Sequence, residues 1–218
     1  MAISRRGWLK LAGGVVGAGS IGVIGIERWA NPKTPLNYPF PESDTSASLL
    51  SPTPTCGGTE TLTQTEGPFY SPNTPLRSML REPNTVGTPL VLEGRVLGTD
   101  CRPMAGAVLD LWSCDGKGVY DNEGFKLRGH QFTDNEGKFR FETVRPADYS
   151  QFFIHRTAHI HIKVQGRGSS LLTTQLYFPG DPLNQDDVIF DESLVMKVEN
   201  IGDGSVHADF DFVLVKSS

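Results

Sequence analysis

Two histidines separated by one residue stand in segment 156–164, which reads RTAHIHIKV. In an extended strand His159 and His161 point to the same face, because successive side chains alternate between the two faces of a sheet. The residues at 158, 160, 162 and 164 are apolar and point to the opposite face. Two imidazoles on one face can chelate a metal ion. Alone, such a pair is also typical of a solvated polar face, so a metal site needs further ligands.

Two tyrosines in unusual settings are candidates for those ligands. Tyr120 follows a Gly-containing turn after LDLW at 109–112, and Tyr149 closes RPADY at 145–149. Either one alone would be interpreted as a core or rim tyrosine with a hydrogen-bonded hydroxyl. Two phenolates together with His159 and His161 form a set of two oxygen and two nitrogen donors. This set matches Fe(III) better than Zn(II), which prefers Cys and His.

The elements that position these residues are predicted to be strands. Apolar and polar residues alternate with period two over 90–97, 105–112, 138–143, 157–165, 171–178 and 206–215, and no comparable segment has a helical period. The turn sequence DNEG at 134–137 predicts a hairpin between Phe132 and Phe139. These features predict an all-β fold, a two-sheet β-sandwich whose long loops carry the metal site.

Length and charge limit the class of protein. The chain has 218 residues, with 20 Lys and Arg against 25 Asp and Glu and a formal net charge of -5. It has no basic stripe, which argues against nucleic acid as a partner. The composition is typical of one globular domain with a short appendage.

The first 55 residues are predicted to lie outside the folded domain. Residues 1–30 are predicted to be an export signal or membrane anchor: Arg5 and Arg6 resemble a twin-arginine signal, and the uncharged run 11–26 follows them. Sixteen helical residues reach about 24 Å, less than the roughly 30 Å of a bilayer core, which favours a signal over a permanent membrane anchor. Residues 31–55 are rich in Pro, Ser and Thr and indicate a linker. We therefore predict an exported protein, periplasmic or extracellular, whose domain spans 56–218 and whose N-terminus is a possible membrane tether.

Three cysteines leave the disulfide pattern open. Cys101 and Cys114 flank the predicted strand 105–112 and are therefore too far apart to be bonded to each other. If a bridge forms in an exported protein, Cys56 takes part, and Cys101 is favoured as its partner because both lie in predicted loops. Three free thiols are the alternative.

These motifs, in this order, resemble the intradiol ring-cleavage dioxygenases, the family of protocatechuate 3,4-dioxygenase and catechol 1,2-dioxygenase. The resemblance covers most of residues 60–215. The segments TEGPFY at 65–70, PMAGA at 103–107 and LW at 111–112 are similar to segments of the family. RTAHIH at 156–161 resembles its Arg-x-x-His-x-His motif, and LTTQLYF at 172–178 resembles a strand with a glutamine beside that arginine.

The resemblance implies a role for each candidate residue. Four side chains would hold Fe(III): Tyr120, Tyr149, His159 and His161. Tyr149 would also leave the metal and accept a proton from the substrate, Arg156 would stabilise negative charge on the substrate, and Gln175 would orient Arg156. The implied reaction cleaves a catechol-type diol with O₂ between its two hydroxyl-bearing carbons to a cis,cis-muconate-type diacid.

Several features depart from the family or limit the assignment. Strand alternation places Arg156 on the apolar face with Ala158, so a role at the site requires irregular backbone around 156–157. Gln151 stands where protocatechuate enzymes have a tryptophan against the substrate, and the chain has no room for the helical dimerisation region of the catechol 1,2-dioxygenases. The identity of the catechol and the presence of a homo-oligomer therefore stay open.

Two other functions remain compatible with the sequence. A secreted, non-catalytic β-sandwich binding module with a degenerate metal site would have the same fold. A copper or zinc enzyme built on His-x-His would need additional ligands, which His130, His155 and His207 could supply. We expect His130 and His155 not to be ligands.

Overall fold

The computed structural model describes residues 56–151 and 154–216. The predicted export signal at 1–30 and the predicted linker at 31–55 lie outside the described residues and stay predictions. Within the described ranges, no helix combines the length and the apolar character needed to cross a lipid bilayer.

Strands dominate the described part of the chain, and a 3₁₀ turn lies at Glu192–Leu194. In chain order the strands are β1 (Pro89–Gly98), β2 (Val108–Trp112), β3 (Arg128–Phe132), β4 (Lys138–Val144), β5 (Tyr149–Gln151), β6 (Ile154–Arg156), β7 (His159–Gln165), β8 (Leu172–Tyr177), β9 (Lys197–Asn200), β10 (Val206–Asp209) and β11 (Phe212–Leu214). Four of them, β3, β5, β6 and β9, were not predicted from the alternation pattern, because each is short or lacks a clear apolar face.

The strands form two main sheets and one small hairpin. In the five-stranded sheet, β1 pairs with β4 in antiparallel fashion and with β10 and β11 in parallel, while β9 pairs with β10. The four-stranded sheet has the order β3-β2-β7-β8, all antiparallel. Strands β5 and β6 pair only with each other.

A single apolar core fills the space between the two main sheets. The five-stranded sheet contributes residues such as Leu90, Leu92, Phe139 and Phe141, and the four-stranded sheet contributes Leu109, Leu111, Ile160, Ile162 and Val164. Their alternation with outward-facing residues is the pattern of a sandwich of two packed sheets. The predicted all-β sandwich is confirmed.

The strand predicted at 206–215 is divided into β10 and β11. The break occurs at Phe210 and Asp211, where the chain crosses β1 at Gly94. Gly94 has a φ of 155°, and a Cβ atom there would lie 1.9 Å from the carbonyl oxygen of Phe210. Only glycine fits this crossing, because any side chain would overlap the backbone of the neighbouring strand.

The predicted hairpin at 134–137 is wrong. The turn exists, with the amide of Gly137 donating to the carbonyl of Asp134, but the strands on its two sides belong to different sheets. Strand β3 pairs with β2, whereas β4 pairs with β1. The local sequence determines the turn but not the sheet that each adjoining strand joins. Here the packing of apolar residues places β3 beside β2 and β4 beside β1.

Cys56 and Cys101 form a disulfide, with their Cα atoms 5.6 Å apart. This is the pairing that the sequence favoured. Cys114 is a buried free thiol. The bond fixes the start of the described domain to the loop that follows β1.

Candidate metal centre

The two histidines of β7 lie on the outer face of the four-stranded sheet, where loops cover them. Both are 1% exposed, and their Nε2 atoms are 3.1 Å apart. Nδ1 of His159 lies 2.6 Å from the carbonyl oxygen of Thr157. Because a carbonyl only accepts, Nδ1 of His159 carries the proton, and its Nε2 presents a lone pair to the space between the rings.

Burial keeps both imidazoles neutral. Desolvation, with a smaller contribution from the charge of Arg156, lowers the pKa of His159 to about 3. The pKa of His161 is also well below its usual value, first because of burial and then because of His159 and Arg156. Neutral imidazole is the form that binds metal ions, so the pair is ready for coordination at neutral pH.

The neighbouring strands fix the ring of His161. Trp112 on β2 and Gln175 on β8 are its direct cross-strand partners. The rings of Trp112 and His161 are stacked, with centroids 4.8 Å apart and planes 6° apart. This parallel stacking restricts rotation of the His161 imidazole and holds its nitrogen atoms in place.

Both candidate tyrosines converge on the histidine pair. The ring centroid of Tyr149 is 5.6 Å from that of His159, and the centroid of Tyr120 is 6.4 Å from that of His161. The two tyrosine rings are 5.5 Å apart and nearly perpendicular. Gly118 permits this approach: its φ is 76°, and a Cβ there would lie 2.7 Å from the carbonyl oxygen of Asp148.

The donor set fits a metal ion better than a network of hydrogen bonds. Tyr120 is 7% exposed, and among the described residues its hydroxyl makes no well-aligned hydrogen bond, although Tyr149 lies within reach of it. A buried hydroxyl without a well-formed hydrogen bond is costly, and coordination would satisfy it. Two imidazole nitrogens 3.1 Å apart can both reach one ion at about 2.1 Å.

The tyrosines are essential to any such site. Among the described residues no cluster of three or more His, Cys, Asp and Glu side chains could hold a metal ion. Burial raises the pKa of Tyr120 well above its usual value, with the nearby Tyr149 as the next cause. Burial also raises the pKa of Tyr149, although Arg156 opposes this shift. A bound cation would reverse both shifts, because it stabilises the phenolate directly.

Arg156 lies beside the site because the strand is interrupted. Strand β6 ends at Arg156 and β7 begins at His159, so the predicted irregular backbone is confirmed. Nη2 of Arg156 donates to Oε1 of Gln175 at 2.6 Å, the contact that the family resemblance implied. Gln175 in turn donates from Nε2 to the carbonyl oxygen of Thr65 at 3.0 Å, which fixes its amide.

Asp187 is a site residue that sequence reasoning missed. Its carboxylate is buried and accepts from Nε of Arg156 at 2.9 and 3.1 Å and from the amide of Thr157 at 3.0 Å. It therefore holds both the guanidinium and the backbone at the strand break. Asp187 ends the segment NQDD at 184–187. This segment is typical of a polar loop, and nothing in its spacing indicates a contact with Arg156.

Asn184 of the same loop strengthens this arrangement. Its Oδ1 accepts from the hydroxyl of Thr157 at 2.8 Å, and its Nδ2 donates to the carbonyl oxygen of Phe178 at 2.9 Å. Through Asn184, the loop after β8 therefore also fixes Thr157, which lies at the break between β6 and β7.

The remaining histidines lie apart from the site. Nδ1 of His130 is 2.8 Å from the carbonyl oxygen of Thr74, and His155 contacts Asp148 at 2.8 Å on an exposed part of the β5–β6 hairpin. His207 contacts a glutamate of the five-stranded sheet at 3.1 Å. None of them joins His159 and His161 in a three-histidine cluster within the described residues, so the copper or zinc alternative finds no support in this arrangement.

Fold and site together define a β-sandwich protein with a candidate centre of two tyrosines and two histidines. Residues 65–216 match the profile of the protein family described as Dioxygenase. With the relatives described next, this match shows that the chain belongs to the intradiol dioxygenase family.

Three relatives illustrate the match. The chain is 35% identical over 147 residues to catechol 1,2-dioxygenase 2 of Acinetobacter lwoffii, covering 57% of this chain and 54% of that one. It is 32% identical to chlorocatechol 1,2-dioxygenase of Rhodococcus opacus, covering 72% and 73%. A solved structure, the dioxygenase domain of a fusion with a carbohydrate-binding protein from Streptomyces sp. SirexAA-E, has 44% identity and a TM-score of 0.68, covering 73% of this chain and 100% of that one.

The match does not extend over the full length of most relatives. The chain spans about half the length of several curated catechol 1,2-dioxygenases that it matches, for example 54% and 48% of the two Acinetobacter lwoffii proteins. The family match at 65–216 includes the sandwich and all the candidate site residues.

Proposed function

We propose that the protein is an Fe(III)-dependent intradiol dioxygenase that cleaves a catechol-type aromatic diol between its two hydroxyl-bearing carbons. The observation that carries this proposal is the packing of the Tyr120 and Tyr149 rings around His159 and His161, whose Nε2 atoms are 3.1 Å apart. The names of the relatives, catechol and chlorocatechol 1,2-dioxygenases, support an aromatic diol as substrate.

The overall reaction needs no external reductant. The carbon–carbon bond between the two hydroxyl-bearing carbons breaks, both atoms of O₂ enter the product, and the ring is oxidised while O₂ is reduced. The product is a cis,cis-muconate-type diacid. Fe(III), when bound, supplies Lewis acidity that favours the ionised forms of the tyrosines and of the diol and makes the ring reactive towards O₂.

Tyr149 is suited to take up a substrate proton at its Oη. It is half-buried and lies in the small β5–β6 hairpin, outside both main sheets. Tyr120, in contrast, is 7% exposed and stacks against Phe69 with ring centroids 4.2 Å apart. Tyr149 can therefore move away from the centre at lower cost and act as a base, while Tyr120 keeps its position.

Arg156 is suited to stabilise negative charge on the ionised diol. Asp187 and Gln175 together hold its guanidinium in one orientation, through Nε and Nη2 respectively. A cation fixed before the reaction stabilises developing charge without reorganisation.

The position of cleavage tests this function. Iron-loaded protein incubated with catechol in air is expected to give a colourless, ultraviolet-absorbing diacid, because two phenolates hold iron in the ferric state. The protein itself should be wine-red from charge transfer between tyrosinate and iron. A yellow semialdehyde product, or a need for added Fe(II) and a reductant, would show extradiol chemistry instead. A panel of substituted catechols then identifies the preferred substrate.

We also propose that the protein is exported through the twin-arginine segment at 4–10. The disulfide between Cys56 and Cys101 supports this proposal, since such bonds persist in oxidising compartments. Replacing Arg5 and Arg6 with lysine should retain the protein in the cytoplasm, as measured by cell fractionation. Unchanged export of that variant would contradict the proposal.

A further inference from the structure

Arg128, at the start of β3, is a fully buried cation on the same side of the molecule as the candidate metal centre. Its side chain is 0% exposed. Nη1 donates to the carbonyl oxygen of Phe69 at 2.5 Å, while Nε and Nη2 donate to the carbonyl oxygen of Asp121 at 3.0 and 2.8 Å. The guanidinium thus joins two loops that are distant in sequence.

Within the described residues, Arg128 forms no ion pair with a carboxylate. The carboxylate of Asp121 accepts instead from the backbone amides of Glu123, Gly124 and Lys126, at 2.9 to 3.1 Å. A buried charge without an opposite charge is costly, even when carbonyl groups accept its hydrogen bonds. The charge of Arg128 therefore indicates a role that a neutral side chain could not fulfil.

Both carbonyl groups bound by Arg128 belong to residues that determine the position of Tyr120. Asp121 directly follows Tyr120 in the chain, and the ring of Phe69 stacks on the ring of Tyr120 at 4.2 Å and 15°. The bonds to Asp121 fix the backbone that follows Tyr120, and the bond to Phe69 fixes the residue whose ring stacks on that of Tyr120.

We propose that Arg128 is a positioning residue for Tyr120, which holds the ring in place and balances the negative charge that Tyr120 carries as a metal ligand. This inference rests on the proposed function, in which Tyr120 is the ligand that stays bound. In this role Arg128 is not itself a metal ligand and would act through its hydrogen bonds to Phe69 and Asp121 and through its charge.

The test compares Arg128→Met and Arg128→Lys with a matched control, Arg77→Met. Arg77 also holds this region through carbonyl groups, donating from Nε to the carbonyl oxygen of Arg128 at 3.1 Å and from Nη2 to that of Phe125. Unlike Arg128, it binds the carbonyl groups of neither Phe69 nor Asp121. For each protein, we would measure thermal unfolding without metal, iron affinity against a competing chelator, and the position of the visible absorption band.

Arg128→Met is expected to weaken iron affinity by about 10- to 100-fold, the range for residues that support a metal ligand. Its visible band should move to longer wavelength, because the phenolate loses a stabilising positive charge. Arg128→Lys should restore the band position but only part of the affinity. Arg77→Met should lower thermal stability without changing the band or the affinity.

An Arg128→Met protein with the wild-type band and affinity would overturn the inference. If Arg128→Met does not fold, Arg128→Lys provides the test. Wild-type iron affinity in Arg128→Lys would show that the three hydrogen bonds of Arg128 are not needed to position Tyr120, and it would overturn the inference. Failure of the proposed function looks different: the wild-type protein itself would then bind no Fe(III) or stay colourless after loading.

Discussion

Replacing His161 with alanine is expected to abolish iron binding and visible colour together. Structural zinc sites with four ligands bind their metal with roughly 10–16 kcal/mol, or about 3 kcal/mol per ligand. A ligand of similar strength here would account for about a 100-fold loss of affinity or more. The remaining imidazole of His159 cannot restore the chelate, because its partner nitrogen, 3.1 Å away, is gone. Metal analysis and an absorption spectrum of the purified, iron-loaded variant measure both effects.

His155→Ala and His207→Ala are the controls for this experiment. Both histidines contact acidic residues outside the centre, Asp148 and Glu93 respectively. Both variants should keep iron and colour at the wild-type level. If His161→Ala kept its iron while either control lost it, the ligand set proposed for this chain would be wrong.

The two tyrosines are expected to respond differently to removal of the hydroxyl. Tyr149→Phe should retain most of its iron but lose turnover by about 100-fold or more, because it lacks the hydroxyl that we propose as the acceptor of the substrate proton. Tyr120→Phe should instead lose iron and shift the remaining colour, since it removes the ligand that stays bound. Iron content, spectra and kcat for catechol distinguish the two outcomes.

Equal effects of both substitutions on iron content and on rate would contradict these roles. Phe69→Leu provides a comparison at Tyr120, because it removes the stacked ring at 4.2 Å but keeps the hydroxyl. It should weaken iron binding less than Tyr120→Phe does.

Sequence alone was sufficient for features that depend on local alternation. His159 and His161 share one face of β7 because side chains in any strand alternate, and the apolar residues between them fix which face is buried in the core. The same alternation showed that Arg156 could reach the site only if the strand were interrupted, and β6 does end there.

Features that depend on contacts between distant loops were not predictable from local pattern. Asp187 binds Arg156 from a loop 31 residues away, and Arg128 binds the carbonyl oxygen of Phe69 across 59 residues. Neither residue has a distinctive neighbourhood in the sequence. The turn at 134–137 was recognisable, but the sheet that each adjoining strand joins is decided by packing over the whole domain.

The position of β1 has a consequence for the folding pathway. This early strand pairs in parallel with β10 and β11 near the end of the chain, and the contact between Arg95 and Asp211 closes a separation of 116 residues. Such non-local pairing slows folding, because a long loop must close before any contact rewards it. The larger sheet therefore cannot be completed during synthesis until almost all of the domain has left the ribosome. Until then β4 is the strand of that sheet with which β1 can pair, and the positions that β10 and β11 will occupy beside β1 stay open.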